Sequence, residues 1–159
     1  MPKPRIYVDT SVPSAYHTDR TDPRMLERRA ITRTWWDAAV RSSELVISDV
    51  VLQELAGGRP EQAVLRLELV KGLRRLRSGP AELATALSYM RQKVMPGNPL
   101  ADALHLAIAS HRRCDVLVTW NYHHLANPNK LDRIRKLNAG MGLSLPRILD
   151  PEQLIEDES

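Results

Sequence analysis

Ile6-Tyr7-Val8-Asp9-Thr10-Ser11 decides the fold class. A short apolar run closed by an aspartate reads as a buried strand with an ionisable group at its carboxyl end. Three other oxygen-bearing residues are placed alike: Glu54 in Val50-Val51-Leu52-Gln53-Glu54-Leu55, Asp102 in Pro99-Leu100-Ala101-Asp102-Ala103-Leu104, and Asn121 after Val116-Leu117-Val118-Thr119-Trp120. Each follows a strand-like run or lies on the first turns of a helix-like one. In an open parallel α/β sheet such positions converge on one edge, where ligands bind. Three carboxylates and an amide gathered there call for a cation between them. Hard oxygen donors select Mg²⁺ or Mn²⁺, ions that commonly handle phosphate. The chain therefore reads as a metal-dependent phosphodiesterase.

Working outward, strand-like runs fall at residues 5–9, 45–48, 115–119 and 145–149, with a weaker one at 72–76 whose arginines suit a central strand poorly. Helical patterns separate them, the alternation of a parallel sheet built from βαβ units. Asp22-Pro23 predicts a helix start, with Ile31, Trp35 and Ala38 on its inner face. Ser48 is placed to cap the helix that carries Glu54, and Gly57-Gly58 to end it. Asn98-Pro99 repeats the start signal before the almost wholly apolar segment from Leu100 to Ala109. Asp102 is the only acid in that helix, and its first-turn position also suits the positive end of the dipole. The acidic end, from Asp150 on, predicts a terminal helix and frayed tail.

With 159 residues and 43% hydrophobic content, the chain is expected to form a single domain over 1–159, its core within about 5–150. Mean hydropathy is −0.35, and no apolar run approaches the roughly 20 residues of a membrane span. The amino terminus runs straight into a strand, so no signal peptide is expected. The single cysteine, Cys114, excludes an internal disulfide, fits a reducing cytoplasm and reads as a small core residue. Formal charge is +4, with Arg24, Arg28, Arg29 and Arg33 in one cluster, Lys71, Arg74, Arg75 and Arg77 in a second, and Lys130, Arg133, Arg135 and Lys136 in a third. A basic surface around an acidic centre gathers a polyanion and leaves the carboxylates to hold a cutting metal; each cluster alone also reads as a solvated helix face.

Other chemistries fit less well. Ser11 stands where an aspartyl-nucleophile phosphatase needs its second Asp. Neither GxGxxG nor GxxxxGK[ST] occurs, nor a G-x-S-x-G elbow. His105, His111, His123 and His124 lack HExxH and paired cysteines, which argues against zinc. His105 lies one turn beyond Asp102 and either orients it, touches phosphate, or is a hydrogen-bonded histidine beside the core. Trp120 and Tyr122 flank Asn121 as candidate base-stacking rings, with Trp120 also readable as a core anchor. Asp49 and Asp115 are explained by a helix start and a solvent-facing strand start, and Asp19 and Asp22 by turn and cap chemistry.

Taken together, Tyr7-Val8-Asp9-Thr10-Ser11, Ser48-Asp49-Val50-Val51-Leu52-Gln53-Glu54, Ala101-Asp102-Ala103-Leu104-His105-Leu106-Ala107 and Cys114-Asp115-Val116-Leu117-Val118-Thr119-Trp120-Asn121 resemble the PIN-domain nucleases, and among them the VapC-like toxins of type II (VapBC) toxin–antitoxin pairs. The resemblance implies a three-layer α/β/α sandwich with a central parallel sheet and Mg²⁺- or Mn²⁺-dependent ribonuclease activity. Asp9 and Asp102 would be direct metal ligands, and Glu54 a ligand directly or through water. Asn121 stands where the family often has a fourth acid; an amide oxygen can ligate Mg²⁺ but adds no charge. Thr119 would hold the site by hydrogen bonding, and Ser11 matches a family hydroxyl beside the first acid. Water-driven cleavage to 5′-phosphate and 3′-hydroxyl ends, a cognate antitoxin seated between the segments 24–40 and 60–70, and a homodimer follow by the same analogy. Two alternatives stay open: a PIN nuclease without an antitoxin, and a catalytically weak module that binds RNA or a partner.

Overall fold

The computed structural model describes residues 2–92, 100–121 and 128–158. Five parallel strands, β1 (Arg5–Val8), β2 (Glu44–Ser48), β3 (Arg74–Leu76), β4 (Val116–Val118) and β5 (Arg147–Leu149), lie in the order β3-β2-β1-β4-β5. Helices flank this sheet in a three-layer α/β/α sandwich, as the alternating pattern implies. The chain builds outward from β1 to β3, then returns to lay β4 against the other side of β1. Tyr7 pairs with Val46 on one side and Leu117 on the other. The strand order therefore reverses between β1 and β4, which places a crevice at their carboxyl ends.

Local chemistry explains the helices. Pro23 opens α2 (Pro23–Ser42) behind Asp22, and Ser48 caps α3 (Asp49–Leu55) by accepting the Val51 N–H at 3.2 Å. Beyond α3, Gly58 takes φ +81°, a conformation that side-chain-bearing residues resist. Gly142 does the same at φ +74° after α7 (Pro128–Gly140). The remaining helices are α1 (Ser11–Tyr16), α4 (Pro60–Val70), α5 (Pro80–Arg91), α6 (Leu100–His111) and α8 (Pro151–Glu158). The Asn98-Pro99 start signal lies outside the described residues. Among those described, no helix is long and apolar enough to cross a membrane.

The buried stripe of α2 is Thr32, Trp35, Trp36 and Ala39. Ala38, expected inside, is exposed. Two adjacent indoles both enter the core, edge to face at 6.1 Å, and the inner face turns to bisect them. The arginine-bearing run at 72–76 does form a strand, β3, at the sheet edge, where Arg74 and Arg75 project to solvent. Cys114 is a core residue at 4% exposure, and burial pushes its thiol up to about 12. Asp115 is exposed and accepts the Arg5 N–H at 2.8 Å, tying the start of β4 to that of β1. The acidic carboxyl-terminal segment forms α8, packed on α2, with Leu154 buried.

Trp35 is 1% exposed at the centre of this packing. Trp35→Ala is expected to lower unfolding free energy by about 3–5 kcal/mol, measured by urea denaturation.

Candidate active site

Asp9 ends the central strand, its N–H reaching the Val118 carbonyl at 3.1 Å. Its side chain is nearly buried, and one oxygen, Oδ2, accepts from the Ser11 N–H at 3.1 Å, the Ser11 hydroxyl at 2.6 Å and the Thr119 hydroxyl at 2.9 Å. Each hydroxyl has one hydrogen and directs it to Asp9. The Ser11 oxygen is then free to accept the Trp120 N–H at 2.9 Å, and the Thr119 oxygen the Asn121 N–H at 2.9 Å. This double cross-tie fixes the loop after β1 to the loop after β4 across the switch point. Ser11 and Thr119, the two hydroxyls named from the family resemblance, thus both donate to Asp9.

Glu54 comes from the last turn of α3. Its Oε1 accepts from the Thr10 hydroxyl at 2.6 Å and meets His105 Nε2 at 2.7 Å. Burial alone would raise its pKa; the two hydrogen bonds and the imidazole charge outweigh burial and hold it below the ordinary glutamate value. His105 is 3% exposed on α6, with Nε2 also 3.5 Å from Asp9 Oδ1 and Nδ1 2.7 Å from the Tyr7 hydroxyl. Tyr7 continues to Ser48 Oγ at 2.7 Å. Burial lowers the pKa of His105, but the Glu54 bond and the charges of Asp9, Glu54 and Asp102 raise it above that of an ordinary histidine. His105 Nε2 is placed to share a proton with Glu54, and Nδ1 to share one with the Tyr7 hydroxyl, which in turn pairs with Ser48. His105 is a buried histidine whose bonds run to Glu54 and Tyr7.

Asp102 lies in the first turn of α6, half-buried, and Asn121 stands exposed just after β4. Both line a cavity of about 380 Å³ together with Asp9, Thr10, Ser11, Glu54, Arg28, Arg66 and Trp120. The four oxygen-bearing residues singled out from the sequence thus border one space. Among the described residues no three acidic, imidazole or thiol side chains form a ready-made metal cage. The donor set still fits a hard cation. Asp9 and Glu54 each commit one oxygen to hydroxyl donors; among the described residues Asp9 Oδ1 has only the long imidazole contact, and Glu54 Oε2 accepts no hydrogen bond. Asp102 and the Asn121 amide border the same space.

Four contributors escaped the sequence reading. Thr10, a plain loop residue by pattern, anchors Glu54; Tyr7, a core residue by pattern, anchors His105. Arg66, which the sequence reading did not single out, and Arg28, read there only as one charge of a basic cluster, line the cavity. Trp120 is half-buried, donating Nε1–H to Thr32 Oγ1 at 3.0 Å with the Arg28 guanidinium 5.0 Å over its ring. Tyr122, His123 and His124 lie outside the described residues.

Comparison with known proteins places this architecture. The family model described as PIN domain matches residues 6–127. No curated protein matches the chain in sequence. Among solved structures, VapC20 of Mycobacterium tuberculosis, described as a sarcin-ricin loop cleaving toxin, superposes with a TM-score of 0.61 at 15% identity, covering 77% of this chain and 95% of that one. FitAcB of Neisseria gonorrhoeae gives 0.59 at 17% identity, covering 92% and 97%. VapBC-1 of nontypeable Haemophilus influenzae gives 0.58 at 14% identity, covering 93% and 98%. At these identities the likeness is one of fold.

The Tyr7 hydroxyl is the buried link between Ser48 and His105. Tyr7→Phe strands both partners, and unfolding free energy in urea at neutral pH is expected to fall by about 1–3 kcal/mol. A loss below about 0.5 kcal/mol would show that the link carries little net stabilisation.

Proposed function

The chain belongs to the PIN-domain family, and from that premise we propose that it is a Mg²⁺- or Mn²⁺-dependent endoribonuclease, the toxin of a type II toxin–antitoxin pair. The observation that carries this reading is the convergence of Asp9, Glu54, Asp102 and Asn121 on one cavity at the β1/β4 switch point. Structural likeness to VapC20, a toxin that cleaves the sarcin-ricin loop, and to VapBC complexes supports RNA as substrate and an antitoxin as partner. A homodimer working in the cytoplasm belongs to the same reading.

In this mechanism Asp9, Asp102 and Glu54 would hold the ion, and the Asn121 amide oxygen would be a neutral fourth donor. When bound, Mg²⁺ or Mn²⁺ supplies positive charge for the phosphorane-like transition state and acidifies water. Ser11 and Thr119 keep the Asp9 carboxylate from swinging, so its orientation need not be organised during the reaction. Thr10 and His105 do the same for Glu54. Because they also depress its pKa, Glu54 is suited to remain an anionic ligand and to orient water. Trp120 and Asn121 border the space that the RNA strand would enter.

A second reading, a catalytically weak module that binds RNA or a partner, draws on Asn121, which leaves the site one charge short of a four-acid centre. A PIN nuclease without an antitoxin would share the site and differ only in partner.

Purified protein incubated with transfer RNA, ribosomal RNA and unstructured RNA is expected to cut at least one of them with Mg²⁺ or Mn²⁺ and none in EDTA. Asp102→Asn should reduce the rate at least about 100-fold, since even outer-sphere partners are worth 10–100-fold. Cutting that persists in EDTA or in the variant overturns the assignment. In calorimetry, Asn121→Asp should tighten Mn²⁺ binding roughly tenfold, about 1.4 kcal/mol; an unchanged affinity would remove Asn121 from the ion's surroundings.

A further inference from the structure

The carboxylate side of the cavity is one half of its electrostatics. Two guanidinium groups line the same space, Arg28 from α2 and Arg66 from α4. Both residues are half-buried. Among the described residues neither forms an ion pair with a carboxylate, although Asp9, Glu54 and Asp102 border the cavity with them. Arg66 Nε is buried with no hydrogen-bond partner. Arg28 rests 5.0 Å over the Trp120 ring, which is itself pinned by Nε1–H to Thr32 at 3.0 Å and by its backbone N–H to Ser11 at 2.9 Å. Arg28 feels the charge of Asp150 and Arg66 that of Asp19, each from beyond ion-pair distance. Two partly desolvated cations beside an acidic site, one of them braced on a fixed indole, are therefore placed to receive a contacting anion.

We propose that Arg28 and Arg66 form a phosphate grip that holds the backbone of single-stranded RNA beside the scissile phosphate, with Trp120 bracing Arg28. This inference rests on the nuclease reading of the cavity and adds how the strand is held there. Within this shared lining the carboxylates repel bare phosphate and take it only where a cation intervenes, whereas the guanidinium groups attract it directly. Arginine suits this task because its planar fork donates two parallel hydrogen bonds to phosphate oxygens while its face stacks on a ring. A cavity of about 380 Å³ matches a single nucleotide in size, which suits a single strand.

The test measures binding apart from cleavage. A fluorescein-labelled short oligouridylate is titrated by anisotropy with the full chain in EDTA across a salt series, and a duplex RNA of equal length serves as competitor. Arg28→Gln and Arg66→Gln are each expected to weaken binding about five- to tenfold and to flatten the slope of log K against log salt by about 0.7, one single-strand phosphate contact. Arg74→Gln, on the edge strand β3, removes the same charge elsewhere and is expected to leave both quantities near wild type. Arg28→Lys should restore the salt slope, since it keeps the charge. Thermal melts accompany each variant, and the two arginines stand as independent tests if one substitution unfolds the chain. Losses equal to that of Arg74→Gln, no rescue of slope by lysine, or a duplex that competes as well as the single strand would overturn the grip. The same variants are assayed for cleavage in Mg²⁺. Wild-type cleavage with no arginine-specific binding loss sinks the grip and leaves the nuclease standing. Arginine-specific binding with no cleavage sinks the nuclease reading and overturns the placement beside a scissile phosphate, leaving the two arginines as an RNA-binding site alone.

Discussion

Carboxylates crowded into a partly desolvated cleft repel one another, and holding them there is the constraint on which this molecule depends. The answer is a set of fixed donors rather than a flexible counter-charge. Asp9 receives two hydroxyls and a backbone N–H on a single oxygen; Glu54 receives a hydroxyl and an imidazole. The two hydroxyls that serve Asp9 are in turn occupied by backbone N–H groups of the neighbouring strand's loop. A rotation of Asp9 would therefore break contacts on both sides of the switch point, so the carboxylate orientation is set by the sheet itself.

The same logic runs inward. From Glu54 the hydrogen bonds pass through His105 and Tyr7 to Ser48, and Ser48 caps the helix that carries Glu54. The path closes on itself through α3, α6 and the two central strands β1 and β2. Each buried polar atom along it finds a partner, which is what allows a histidine and a tyrosine to sit at the centre of an otherwise apolar core. Packing and site geometry are thus set by shared residues: Tyr7 fills core volume with its ring and steers the site with its hydroxyl.

How much of this could be read beforehand depends on the range of the interaction. Asp9, Glu54, Asp102 and Asn121 are legible because each occupies a strand end or helix turn, and parallel α/β topology brings such positions together whatever the details. Ser11 and Thr119 are legible through the resemblance to PIN domains. The role of Tyr7 is not, since its partners lie 41 and 98 residues away and a tyrosine within a strand reads as core filler. Arg28 and Arg66 look like solvated helix charge because periodicity reports which face is polar and nothing of what that face meets. The misplaced inner face of α2 has a local cause. Spacing at 31, 35 and 38 describes one acceptable stripe, but Trp35-Trp36 carries more apolar area than any other pair on the helix and turns the stripe toward itself. β3 was a weak reading because central strands exclude arginine; an edge strand does not.

That edge has a consequence for the protein in a crowded solution. The two outermost strands, β3 and β5, are three residues long, and each begins with arginine. Unpaired strand margins are templates on which chains add to one another. Here the template is too short to seat an incoming strand, and an approaching copy meets its own guanidinium charge. On the β5 side Arg147 is further tethered to Asp157 of α8 at 2.8 Å, which draws the terminal helix toward that margin. Short length and a leading arginine, the features that made β3 hard to recognise, thus guard both borders of the open sheet against polymerising.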